Sequence, residues 1–230
     1  MAIKIENVVT PSAEQWEAII RGTRNPMNSW DKSDSIHAFD EGIMDEIFVI
    51  GDNDLDLMKK LAKAGTDHRK FMRMIVVYAD VTAPLYWWAE YDTYKVGTVR
   101  NSCSKMHTIH KKEFTLEDFS IDDFYFEDDE CGMYLSDMFL NAVGDCEFLR
   151  ERFVETGDKK YWRGLIQLLP SSYNQRATVM LNYEVLANMY HSRKAHKLDE
   201  WVEFCKWIES LPYAELITGG EVDESNNITE

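Results

Sequence analysis

Apolar and polar residues alternate through positions 2–9, the period of a half-buried strand, and Pro11-Ser12 followed by Glu14 opens a helix running to about Arg21. Positions 23–52 are rich in Asn, Asp, Ser and Gly, which predicts loops with short elements. Asp52 or Asn53 is placed to cap a helix from Leu55 to Ala64, and Gly65 stops it. The β-branched, apolar run from Phe71 to Val81 predicts a buried strand. Pro84 then suits the first turn of a helix carrying Leu85, Trp87, Trp88 and Tyr91.

The second half of the chain changes to a helical period. Leu135, Met138, Phe139, Ala142, Val143, Cys146, Leu149 and Phe153 follow three-and-four spacing over about five turns. Lys159–Leu168 predicts a second helix, closed by Pro170. Positions 174–191 predict a third, with Met180, Leu181, Leu186 and Met189 apolar, and Leu198, Trp201, Val202, Cys205 and Ile208 mark one stripe of a fourth. Residues 219–230 are polar and acidic and predict a disordered tail. With no internal repeat and no Gly/Ser-rich linker, the expectation is one α+β domain over residues 1–218.

Hydrophobic residues make up 45% of the 230 and aromatic residues 13%, enough for a large core. No apolar run approaches the roughly 20 residues that span a bilayer. Met1–Glu6 has no charged region followed by an apolar one, so a cytoplasmic location is expected. The net charge of −16, from 41 acidic against 25 basic residues, repels duplex nucleic acid but allows a small anion in a locally basic pocket. The acids crowd Glu117-Asp118, Asp122-Asp123 and Glu127–Glu130. That segment lacks the Gly and ligand periodicity of a calcium loop and reads as a solvated linker. Cys103, Cys131, Cys146 and Cys205 form no Cys-x-x-Cys pair, the pattern of reduced and mostly buried thiols.

Gly-rich phosphate loops, Gly-x-Ser-x-Gly and His-Glu-x-x-His are absent, and the sequence singles out no catalytic residue. His107 and His110 lack a further ligand at metal-site spacing and read as surface or core histidines. Trp87-Trp88 reads as core rather than as a stacking platform. Arg176 and Arg193 bracket the expected third helix and lie about 25 Å apart along it, at about 1.5 Å per residue, so one monomer cannot bring both to one small ligand.

Longer stretches carry more. Leu61-Ala62-Lys63-Ala64-Gly65 through Phe71 joins a helix, a glycine turn and an approach like Gly-His-x-x-x-Phe. Asp80-Val81-Thr82-Ala83-Pro84-Leu85-Tyr86 is a strand-to-helix junction with an Ala-Pro pair. Leu168-Leu169-Pro170 precedes Arg176, Asn182, Leu186 and Arg193, and His196–Trp201 stands where a His-Ala-Gln-x-Glu segment would follow. In order and spacing these stretches resemble the flavin-dependent thymidylate synthases. The resemblance implies a mixed sheet with long packed helices and a homotetramer holding FAD between subunits. It also implies transfer of a methylene from a folate onto dUMP, with NADPH as a further co-substrate. Arg176 and Arg193, together with Lys105, Glu90 and Cys103, would serve the nucleotide, and Lys95, Asn182, Arg73 and Thr98 the flavin. Different subunits would supply the two arginines.

That family's signature is Arg-His-Arg, two residues, Ser, one residue, Asn-Glu, one residue, Ser, one residue, Arg-Tyr. Counting from Ala83-Pro84 lays it on Thr93-Tyr94-Lys95, Thr98, Arg100-Asn101, Cys103 and Lys105-Met106, with no position identical. Lysine keeps the charge of an arginine without its bidentate fork, and Glu90 places a charge where a glutamine would read uracil. Two expectations stand side by side. One is a divergent FAD-dependent transferase acting on a pyrimidine nucleotide. The other is an inactive homologue, borne by a phage or mobile element, that serves as a nucleotide-binding or protein-interaction module.

Overall fold

The structure is a computed structural model and describes residues 3–42, 44–121 and 130–220, with only the backbone described for 130–135. The acidic run at 122–129, the Cys131 side chain and the acidic tail from 221 onward lie outside the described residues. From the N-terminus the elements are β1 (Lys4–Val9), α1 (Ala13–Arg24), β2 (Ile36–Asp40), β3 (Asp45–Val49) and α2 (Asp52–Lys63). There follow β4 (Val76–Pro84), α3 (Leu85–Tyr91), β5 (Thr98–Ser102), α4 (Lys105–Thr108), α5 (Glu130–Thr156) and α6 (Lys159–Leu168). The chain ends in β6 (Asn174–Asn182), α7 (Tyr183–Arg193), α8 (Asp199–Glu209) and α9 (Glu215–Thr218).

Four strands form a mixed sheet in the order β1-β4-β6-β5, and β2 pairs antiparallel with β3 in a separate hairpin. The chain clusters into two compact units, one built on Val81–Thr93 and Asn101–Thr178, the other on Ile5–Asp80, Tyr94–Arg100 and the stretch from Val179 onward. Strands β1, β4, β5 and β6 contribute residues to both. In the first unit Trp87, Trp88 and Tyr91 are buried, as expected of core aromatics, and Trp88 meets both of the others edge to face. Cys146 and Leu165 pack there with Ile109, bringing α5 against α6. In the second unit Met58, Ile75, Tyr183, Trp201 and Phe204 are almost fully buried. Burial raises the thiol of Cys146 to about 11 and that of Cys205 to about 12, so both stay protonated; Cys103 alone of the three described is exposed. No helix among the described residues is long and apolar enough to cross a membrane.

Three expectations are corrected. The third helix is a strand followed by a helix. Gln175, Ala177, Val179 and Leu181 are buried while Arg176 and Thr178 are exposed, a period of two that no helix face can give. At Asn182 the backbone is still extended, and its Oδ1 accepts from the Val185 amide at 3.0 Å, capping α7. The 25 Å helical separation of Arg176 and Arg193 therefore does not apply. The expected strand from Phe71 begins later: Arg69–Arg73 is a 3₁₀ turn burying the adjacent Phe71 and Met72, and β4 runs on to Pro84. Finally, Gly51 is the N-cap of α2, and its first amides are held from elsewhere in the chain. Asn53 and Asp54 donate to the Asp34 carboxylate at 3.0 and 3.1 Å.

Asp54, 1% exposed, anchors the segment before α2. Its carboxylate accepts from Arg24 Nε, Ser33 Oγ and Ser35 Oγ, each at 2.6 Å. Burial pushes this carboxyl up, but the two hydroxyls and the Arg24 guanidinium outweigh it, and the group ends below its ordinary value. Being depressed on folding, it adds stability that is complete above the unfolded value of about 3.9 and fades as pH falls through the folded value. Asp54→Ala strands Arg24 and is expected to cost about 3–5 kcal/mol in urea unfolding at neutral pH, with the difference from wild type narrowing under acid.

Candidate functional site

The beginning of β6 shapes a cleft in the first unit. Trp88 Nε1 donates to the Gln175 carbonyl at 2.9 Å, Gln175 Nε2 donates to the Cys103 carbonyl at 2.6 Å, and the Cys103 amide donates to the Arg176 carbonyl at 2.9 Å. Those bonds clamp Cys103, just past β5, onto β6. One residue later Ser104 caps α4, accepting from the His107 amide at 3.3 Å, so that Lys105 starts its helix beside the strand.

The cleft is about 350 Å³. It is lined by Cys103, Lys105 and Arg176 together with Lys111, Lys112, Glu113 and Asp118, and walled by Phe114 and Tyr173. The two rings stand 6.1 Å apart at 77°. Four cations against two carboxylates make a basic surface in a chain of net charge −16. Lys112 is matched by Asp118 at 2.8 Å. Burial pushes the Asp118 carboxyl up, but the Lys112 ammonium and the Thr115 amide and hydroxyl hold it below its ordinary value. The arrangement offers charge-assisted bonds to an anion beside an aromatic wall. Glu90 is not part of it: it sits on α3, where its carbonyl accepts from Thr93 Oγ1 at 2.7 Å. Lys111, Lys112, Phe114 and Tyr173 escaped the sequence reading, because a Lys-Lys pair in a polar loop carries no spacing that marks it.

A second group of expected residues meets at the 94–98 loop of the other unit. The Thr98 hydroxyl donates to the Tyr94 carbonyl and closes the loop. Gly97 has φ +82°, and a Cβ there would come within 2.6 Å of Asn182 Nδ2, so glycine lets the loop lie against that amide. Arg193 Nε donates to the Tyr94 hydroxyl at 3.0 Å, and the guanidinium lies 4.8 Å from the Trp201 ring and 2.9 Å from His196 Nε2. Lys95 is exposed. Arg73 is held by Glu184 through both carboxylate oxygens. Tyr94 and His196 are visible in sequence only as positions within resembling segments, and Trp201 also as part of a helix stripe; none is marked as a partner of Arg193.

A flavin diphosphate needs cations whose charge is not already matched, and its ring needs polar groups turned toward it. Of the residues expected for it, Arg73 is matched by Glu184, Asn182 caps α7 and Thr98 closes its own loop. Within one chain these three side chains are already engaged. Gly97→Ala is expected to cost about 1–3 kcal/mol in denaturant unfolding, since it adds both strain and the clash with Asn182. Gly65→Ala, with φ +97° and open space around the added methyl, isolates the backbone part and should cost less.

No family model matches the sequence, and no curated protein does. Solved structures match over nearly its whole length. Thymidylate synthase X from Helicobacter pylori with FAD and dUMP aligns at a TM-score of 0.62 and 15% identity, covering 94% of this chain and 95% of that one. A second structure from that organism, described as a flavin-dependent thymidylate synthase complexed with FAD and dUMP, aligns at 0.60 and 15%, over 94% and 96%. A UMP/dUMP methylase, PolB from Streptomyces cacaoi bound with 5-Br dUMP, aligns at 0.62 and 15%, over 94% and 93%. The chain has the fold of the flavin-dependent thymidylate synthases.

Proposed function

We propose that this protein binds a pyrimidine nucleotide of the dUMP type in the Lys105–Arg176 cleft and acts on it as a thymidylate synthase-like transferase. The observation that carries this reading is the convergence of Cys103, Lys105 and Arg176 in one basic cleft. The Arg176 fork and the Lys105 ammonium hold the phosphate, and Phe114 and Tyr173 wall the flat base. The solved structures of this fold that hold dUMP, 5-Br dUMP and FAD support the same assignment. In this reading FAD, held with the help of Lys95 and groups of a neighbouring copy, would supply hydride chemistry, and a folate and NADPH would be co-substrates. Because Arg73, Asn182 and Thr98 are engaged within their own chain, the active form in this reading is a homo-oligomer, a tetramer in the cytoplasm, with Lys95 turned to a neighbouring copy.

A second reading draws on a specific observation. Arg193, Asn182, Thr98 and Arg73 are all engaged by groups of their own chain. That favours an inactive homologue that keeps the nucleotide cleft and serves as a nucleotide-binding module.

Calorimetry with dUMP tests what the two readings share. Wild type is expected to bind, and Arg176→Ala to raise Kd by about 10- to 100-fold, the loss of one charge-assisted contact of about 1.5–3 kcal/mol. Absence of dUMP binding would remove both readings. A yellow protein that turns over dUMP with FAD, folate and NADPH selects the transferase. A colourless one that binds dUMP and refuses FAD selects the module.

A further inference from the structure

A second basic cleft, also about 350 Å³, lies wholly within the unit that holds α2, α7 and α9. Its floor is apolar: Met72, Ala187, Leu216 and Ile217, each no more than 3% exposed. Its rim carries Lys59, Lys63, Arg69 and His191 against the single carboxylate of Glu215. Gly219 and Gly220, with φ of 78° and 85°, continue the rim without side chains, and no described residue stands within 4 Å of where a Cβ would be.

The charges do not cancel. Lys59 is matched by Glu215 at 3.5 Å. Arg69 Nε lies 3.5 Å from Glu184, but that carboxylate already receives Arg73 on both oxygens, so one negative charge faces two guanidinium groups. Arg69 Nη2 donates to Asn188 Oδ1 at 3.1 Å, while its buried Nε has no hydrogen-bond acceptor. Among the described residues no carboxylate pairs with Lys63 or His191. Among the described residues this leaves a cation surplus above an apolar floor, to which an anion from solution is drawn.

We propose that this cleft binds a phosphomonoester carrying an apolar body. A phosphate brings close to two charges and three acceptor oxygens at neutral pH, which suits Lys63, Arg69 and His191 better than a single carboxylate does. The Met72–Ile217 floor takes the apolar part, and the volume suits a small organic molecule. None of the residues that line it belongs to the Lys105–Arg176 cleft, so occupation of one does not require the other.

The test uses the full chain and two probes, phenyl phosphate and inorganic phosphate, titrated calorimetrically. Phenyl phosphate is expected to show a binding event that survives Arg176→Ala and weakens at least 10-fold in Lys63→Glu. Lys63 is exposed on α2, so the substituted chain should melt as wild type does, and Lys63→Gln should fall between the two. Inorganic phosphate, lacking the apolar body, should compete for the same site at about 10-fold lower affinity. Unchanged affinity in Lys63→Glu would overturn the proposal, as would loss of all phenyl phosphate binding in Arg176→Ala. Equal affinity for the two probes would overturn the role of the floor. Since dUMP binding is read separately through Arg176, failure here and failure of the nucleotide cleft are distinguishable.

Discussion

The register of β6 is the constraint from which the rest of the site follows. Side chains along a strand alternate between faces, so a slip of one residue would bury the Arg176 guanidinium and expose Gln175, Ala177, Val179 and Leu181. Three bonds hold the register where β6 begins: Trp88 to the Gln175 carbonyl, Gln175 to the Cys103 carbonyl, and the Cys103 amide to the Arg176 carbonyl. The buried Gln175 contributes through both its backbone and its side chain. Its neighbour can present a charge to the cleft because Gln175 is satisfied beneath it. The same bonds fix the start of α4, and with it the place of Lys105.

Where β6 ends, a different device sets the next element. Asn182 keeps extended backbone and caps α7 with its own side chain, so strand passes into helix without a loop. The Tyr183 amide, which the helix leaves without a partner, donates to the Ile75 carbonyl at 3.0 Å. With the junction fixed, Glu184 sits in the first turn, holding Arg73 and Arg69, and Arg193 sits in the last, against Tyr94 and Trp201. Both ends of α7 thus carry arginine chemistry, set by one asparagine cap.

The junction also shows how far the sequence could be read. α6 is legible to the residue, because Asp158 caps it and its apolar stripe has only one interpretation. Positions 174–191 misled because Ala177, Met180 and Leu181 fit a helical spacing nearly as well as Ala177, Val179 and Leu181 fit a strand. What decided it was pairing with distant strands, which no local window contains. Cys103, Lys105 and Arg176 were legible as candidates through the resemblance, but their meeting in one cleft was not, since it depends on Gln175 reaching the Cys103 carbonyl. The lysines and aromatic residues that complete that cleft have no signature outside the folded chain. Asp34, 18 positions from Asp52, likewise holds amides at the start of α2 that a search for local caps assigns to Asp52 or Asn53 themselves.

The balance of charge sets the field in which these local arrangements sit. At physiological ionic strength an exposed charge is felt over about 8 Å, so an anion inside a cleft responds to the lysines and arginines that line it and little to the acidic surface beyond. A polyanion such as duplex nucleic acid cannot enter so small a space, and must also meet the field of a chain with 41 acidic residues. The acidic excess thus opposes extended phosphates, while the field inside each cleft is set by the cations that line it. Matching cations from within the chain, as Asp118 does for Lys112 and Glu215 for Lys59, limits the repulsion among neighbouring cations.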